Sequence, residues 1–151
     1  MSMFDSMNIS ASGLTAQRLR MDVISQNIAN VQTTRTPEGG PYKRKTVIFQ
    51  EIENRDSFRS NFSAAIRNGT TPTGQGMGVR VDRIAEDSSP GHLMYDPTHP
   101  DADAEGYVRM PNVNIVEEMV NMISASRSYE ANITAINTSK AILAKTLELG
   151  K

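Results

Sequence analysis

Asp101, Asp103, Glu105 and Gly106 follow one another like positions one, three, five and six of a calcium loop, where carboxylates alternate and glycine makes the sharp turn. The twelfth position, where a bidentate glutamate must close the coordination shell, is Asn112. His99 adds an imidazole to Asp96, Asp101 and Asp103, a donor set suited to a hard or borderline metal. Pro97 and Pro100 interrupt the same stretch and restrict the residues before them, so the reading that fits every residue is an acidic, turn-rich loop holding no metal.

Two further patterns have the outline of chemistry without its spacing. Gly74, Gly76 and Gly78 alternate with other residues, but the dinucleotide fingerprint needs a wider final interval and a helix after it, whereas Val79 opens a strand-like run. His92 and His99 are the only histidines, there is no cysteine, and no serine sits in a nucleophile elbow. No catalytic residue and no cofactor are expected, and the chain reads as a protein that is not an enzyme.

What remains is a pattern for association. Ile115, Met122, Tyr129, Ile136 and Leu143 recur at intervals of seven, with Met119, Ile133 and Leu147 four residues behind members of the series. Met7, Leu14, Met21 and Ile28 do the same near the start, flanked by Ile24 and Val31. A period of 3.5 residues marks helices that wind around other helices. The first helix is expected from about Met3 to Val31, with Asn27 and Asn30 capping carbonyls or bonding across to a neighbour. The last is expected from about Asn114 to Leu149, roughly 50 Å long, with Asn114 as its cap and Glu117 in its first turn. Ala125, Ser126, Ala131, Asn132, Ala135 and Ser139 lie between its large residues, where small side chains permit close approach and polar ones select a register.

Between the helices, Thr36-Pro37-Glu38-Gly39-Gly40-Pro41 makes a turn, and Lys45–Ile52 and Val79–Ile84 have the composition of strands. Shorter candidates lie at His92–Tyr95 and Gly106–Met110, and Asn54–Gly78, rich in Ser, Asn, Thr and Gly, reads as a mobile loop. The organisation expected is α+β: an N-terminal helix in 1–34, a small β-rich middle region in 35–111 with its loop around 54–78, and a C-terminal helix in 112–151.

Composition agrees with a thin core. The 151 residues are 38% hydrophobic, below the ~45–50% of globular chains, although that reference counts glycine. The net charge of -1 gives no footprint for nucleic acid, and Lys43, Arg44 and Lys45 read as the solvated start of a strand. No stretch suits a bilayer span or a cleaved secretion signal, so work outside the cytoplasm would require export that reads no such signal. The apolar gain of one seam falls short of the entropy lost on ordering so long a helix, and both ends are expected to be poorly ordered in the dilute monomer and to become helical on assembly.

Ser12-Gly13-Leu14, Ala16, Arg18 to Arg20, and Asn27-Ile28-Ala29-Asn30 with Thr33 closely resemble the N-terminal signature of the bacterial flagellar rod and hook axial proteins. Gly106-Tyr107-Val108, Pro111-Asn112-Val113, Glu117-Glu118-Met119, Arg127 to Asn132 and the closing Leu147 to Gly150 resemble that family's C-terminal end. The stretches from Thr34 to Tyr42 and from Tyr95 to Asp103 resemble one rod branch of it.

The resemblance implies terminal helices that pair as an antiparallel coiled-coil-like core and polymerise into the proximal rod of the flagellar basal body, carrying motor torque to hook and filament. It implies export through the flagellar type III apparatus without cleavage, and a place in the periplasm or cell wall without membrane insertion. Its implied partners are further copies of itself, the rod proteins FlgB, FlgF and FlgG, and the rod-base protein FliE. The assembly interface expected on this basis comprises Leu14, Met21, Ile24, Asn27, Ile28 and Asn30 on the first helix, with Met119, Met122, Tyr129, Asn132, Ile133, Ile136 and Leu143 on the last. The alternative reading is a soluble coiled-coil adaptor or oligomerisation module that binds a ligand or metal through the acidic loop around His99.

Overall fold

The computed structural model describes residues 3–52, 62, 66 and 77–150. Two long helices, α1 (Met3–Ala29) and α2 (Ile115–Leu149), enclose in sequence four strands: β1 (Lys45–Glu51), β2 (Val79–Glu86), β3 (Leu93–Tyr95) and β4 (Tyr107–Arg109). Most of the Asn54–Gly78 segment lies outside the described residues; Phe62 and Ile66 within it are helical rather than loop. The α+β organisation expected from the two seams and the strand-like runs is the one observed.

β1 and β2 form an antiparallel ribbon from Lys45 opposite Glu86 to Glu51 opposite Val79, with a bulge between Ile48 and Phe49. β3 and β4 form a second, three-residue ribbon. In the turn before β1, Gly39 and Gly40 both take left-handed backbone angles, which side-chain-bearing residues adopt only with strain.

The β1–β2 ribbon lies along α1 and is fastened at both ends. Near the start of the helix, the Ser12 hydroxyl accepts from the Val79 amide at 3.1 Å; near its end, the Asn27 side chain exchanges two hydrogen bonds with the main chain of Lys45. The spacing is commensurate: the helix from 12 to 27 rises about 22 Å, and the strand from 79 to 86 spans about 23 Å. Gly78 sits at φ 121 against the Ser12 side chain, where a Cβ would collide.

The opposite side of α1 packs along α2. Gly13 faces Asn132 and Asn27 faces Glu118. The two positions on α1 are fourteen residues apart, as are the two on α2 in reverse order, so the helices are antiparallel and keep step over two heptads.

The inward row of α2 runs Glu118, Met122, Ala125, Tyr129, Asn132, Ile136, Ser139 and Leu143, alternating steps of four and three. Met122, Tyr129, Ile136 and Leu143 are the heptad seen in the sequence. Its companion row differs: Met119, Ile133 and Leu147, which the spacing adds to the seam, face outward at 54%, 37% and 74% exposure. Glu118, Ala125, Asn132 and Ser139 take the inward places, and at Asn132 the α1 backbone comes close through Gly13. On α1 the buried positions are Gly13, Ala16, Val23, Ile24 and Asn27, offset from the half-buried series Met7, Leu14, Met21 and Ile28.

Candidate assembly surfaces and the polar node between them

Asn27 and Glu118 are each 1% exposed, and a polar side chain so buried must be satisfied by its neighbours. Asn27 uses all four of its hydrogen-bonding positions. Its Nδ2 donates to the Lys45 carbonyl at 2.8 Å and to Glu118 Oε2 at 2.9 Å; its Oδ1 accepts from the Lys45 amide at 2.9 Å and the Tyr42 hydroxyl at 3.0 Å. Glu118 Oε1 receives the Arg44 guanidinium twice, from Nε at 2.9 Å and from Nη2 at 2.7 Å. Charge-assisted contacts of this length to a buried carboxylate are the strong kind.

Asn112 extends the node. Its Oδ1 accepts from the Arg44 amide at 2.8 Å and its Nδ2 donates to the Asp87 carbonyl at 3.1 Å. The chain entering α2 is thereby tied to the beginning of β1 and the end of β2. Burial, followed by the charges of Glu118 and Glu86, raises the Tyr42 hydroxyl above its ordinary pKa of 10.0. One cluster thus joins α1, the ribbon and α2.

Around this node the helices keep apolar surface. Val116, Met119, Val120 and Ile123 are 69%, 61%, 55% and 54% exposed in the order Val116, Val120, Ile123, Met119, and their spacing of three and four residues makes one stripe. Leu147 and Leu149 are 74% and 82% exposed at the end of α2. The β3–β4 ribbon exposes Leu93, Met94, Tyr95 and Tyr107, the two tyrosine rings meeting edge to face with centroids 5.2 Å apart.

Of the residues expected at an assembly interface, Ile24 and Asn27 are buried within the chain. Leu14, Met21, Ile28, Asn30, Met122, Tyr129, Asn132, Ile136 and Leu143 are half-buried, and Met119 and Ile133 are exposed. Asn30 does what a helix-terminal amide does: its Nδ2 caps the Gln26 carbonyl and its Oδ1 accepts from Thr33. Asn27 does the other thing, bonding across. Sequence reasoning missed Arg44 and Glu118 as partners, since Arg44 lay in a solvated-looking basic triplet and Glu118 in a run of helix-starting carboxylates.

The acidic loop uses its own side chains. Asp96 accepts from the Thr98 amide and hydroxyl, Asp103 from the amides of Glu105 and Tyr107, and His99 Nδ1 from the Asp101 amide. Asp101 accepts from the Thr34 hydroxyl at 2.7 Å, docking the loop on the turn after α1. Among the described residues, no group of three His or carboxylate side chains converges on a common centre. No described helix is long and apolar enough to cross a membrane.

Residues 7–35 match the family described as Flagella basal body rod protein, and residues 104–149 match Flagellar basal body rod FlgEFG protein C-terminal. Relatives that carry the name Flagellar basal-body rod protein FlgC match over nearly the whole chain. The one from Borreliella burgdorferi is 52% identical over 99% of this chain and 98% of its own length. That from Bacillus subtilis is 50% identical and that from Salmonella typhimurium 42%, each over the whole of both chains.

Proposed function

Since the chain belongs to the FlgC family of flagellar basal-body rod proteins, we propose that it is a structural subunit of the proximal rod, polymerising through its terminal helices to transmit motor torque to hook and filament. The helices 1–34 and 112–151 form the axial core in this reading, and 35–111 a β-rich part carried on it. Its neighbours are further copies and other rod components, specifically FlgB, FlgF, FlgG and the rod-base protein FliE. It reaches the periplasm through the flagellar type III export apparatus without losing a signal peptide. A protein of this kind has no reaction to catalyse.

The observation that carries the reading is the apolar stripe of Val116, Met119, Val120 and Ile123, on a helix whose opposite face is already occupied by α1. A contact between this stripe and a different patch of the next subunit is heterologous, and such contacts build helical polymers or rings rather than closed dimers. The intrachain contacts at Gly13–Asn132 and Asn27–Glu118 hold the paired parts of the helices in the free subunit. Ordering on assembly is therefore assigned to the unpaired end of α2, about 143–149.

The test is to replace Met119, Val120 and Ile123 singly with Asp. Because these side chains face solvent, each variant should keep its fold to within about 0.5 kcal/mol, yet fail to enter rods and leave cells non-motile. Variants that build rods and swim would remove the stripe from the interface. Met122 and Ile136 are less suitable positions, since a charge there also faces α1. The adaptor reading has no observation in its favour, because the loop carboxylates are engaged in their own turns.

A further inference from the structure

We infer that Asn27, Glu118 and Arg44 form a register lock: they select one of two alignments of α1 and α2 that the apolar rows alone do not distinguish, and so keep the last two turns of α2 uncovered.

Rows that recur every seven residues come back into contact when one helix slides by seven, a shift of about 10 Å. In the observed alignment Gly13 is level with Asn132 and Asn27 with Glu118, which puts Ala16 level with Tyr129 and Val23 with Met122. Sliding α1 one heptad towards the C-terminus of α2 sets Gly13 against Ser139, Ala16 against Ile136 and Val23 against Tyr129. Each small residue again meets a larger one.

Helix overlap is not lost by the slide. In the observed alignment α1 covers α2 from about 116 to 142, leaving 143–149 beyond its first described residue; in the shifted one it covers about 123 to 149. The shifted alignment would carry α1 past Leu143 to the next inward position, Thr146. Hydrophobic burial therefore gives no reason to prefer the alignment that exists.

The polar groups do. After the slide Asn27 would face Ala125, with its Glu118 bond gone, and Glu118 would lie past the end of α1, parted from Arg44, which stays with the ribbon fastened to α1 at Asn27. A buried ion pair adds little net stability compared with apolar replacements, but separating its members is costly, as is orphaning a buried amide. That asymmetry makes the node a selector of alignment, in the way a single buried Asn fixes register in coiled coils. The use of the uncovered turns by a neighbouring subunit rests on the proposed function; the lock itself does not.

The chain has no cysteine, so cross-linking reads the alignment directly. One heptad beyond Gly13–Asn132, the observed alignment puts Ser6 level with Ser139; the shifted one puts Ser6 level with Thr146. The full-length S6C/S139C and S6C/T146C proteins are oxidised with and without the node replacement Asn27→Leu, Arg44→Met, Glu118→Leu, with helicity and melting recorded. With the node intact, only the 6–139 pair should close. With the node replaced, helicity and melting temperature should hold or rise while the 6–146 cross-link appears at a yield comparable to the other. A helical node variant that still closes only 6–139 overturns the lock and moves register selection to the chain entry at Asn112. If that variant does not fold, Glu118→Met decides: appearance of the 6–146 cross-link supports the lock, and its absence overturns it. Both readouts are made on the isolated chain, so they are independent of rod assembly and swimming.

Discussion

Gly13 on α1 lies face to face with Asn132 on α2, so close that a Cβ at position 13 would stand 3.0 Å from the Asn132 side-chain oxygen. Glycine inside a helix ordinarily costs stability, and here it admits the amide of the partner helix. Its neighbour Ser12 turns to the other side and holds β2. Two adjacent residues thus serve the two elements between which α1 is placed.

This juxtaposition fixes the sign of a double-mutant cycle. Alanine at position 13 gains about 0.5–1 kcal/mol of helix propensity, but its Cβ forces the Asn132 amide aside, and that amide already donates to the Ser128 carbonyl at 2.8 Å. Gly13→Ala alone should be neutral or destabilising. In an Asn132→Ala background it should stabilise by about 0.5–1 kcal/mol. Urea unfolding followed by circular dichroism measures both; an equal effect in the two backgrounds would mean that the contact is not felt.

At the node, the two ends of one ion pair should respond unequally. Arg44 is 26% exposed at its side chain and can turn to solvent when Glu118 is lost; Glu118, at 1%, cannot. Arg44→Ala should therefore cost about 3–5 kcal/mol, the range for an orphaned buried charge. Glu118→Ala should cost about 1–3 kcal/mol, most of it from the unsatisfied Asn27 amide. The reverse order in equilibrium unfolding would show that Glu118 reaches water.

Titration should show two separate edges. Tyr42 has its pKa raised by burial and then by Glu118 and Glu86, so its contribution to stability is complete below pH 10 and is lost as pH rises through the higher folded value. Asp87 and Asp96 are held below the ordinary 3.8, first by the hydroxyls of Ser89 and Thr98 and then by the amides of the same residues. Their contribution is present above about pH 4 and is lost as pH falls through the lower folded values. Tyr42→Phe should remove the alkaline edge in thermal melts. Ser89→Ala and Thr98→Ala should return the Asp87 and Asp96 carboxyl resonances towards ordinary titration in NMR.

Asp101 should matter through Thr34 rather than through Arg35. The hydroxyl bond is 2.7 Å and partly buried, worth about 1 kcal/mol. The Arg35 pair is 3.8 Å long with the arginine 81% exposed, a geometry that contributes little. Asp101→Ala and Thr34→Val should destabilise by similar amounts, and Arg35→Ala by much less. Calcium or zinc should leave the melting temperature unchanged, because the loop carboxylates already have partners.

Much of the architecture was legible along the chain because it depends on local rules. The α2 start was readable from Asn114, whose side chain accepts from the Val116 amide at 3.0 Å as an N-cap does. The turn at Gly39-Gly40, the β-branched and aromatic run of β1, and the seven-residue spacing of Met122, Tyr129, Ile136 and Leu143 are of the same kind. Each is settled by residues within a turn or two of one another.

The companion row of the seam was not legible in that way. Met119, Ile133 and Leu147 satisfy the hydrophobic pattern as well as any residues on the helix, yet Ala125, Asn132 and Ser139 are the ones that face α1, Asn132 against Gly13. The node lay further still from local reach: Arg44 and Glu118 are 74 residues apart, and Asn27 and Glu118 are 91. By itself the sequence determined two sticky helices, a short β-rich insert and the family signatures, since periodicity, capping and turn chemistry are properties of neighbours in the chain. Tertiary structure alone decided which face of each helix is spent inside the subunit and which stays open, since that depends on where a backbone admits a close partner and where a buried charge can find one.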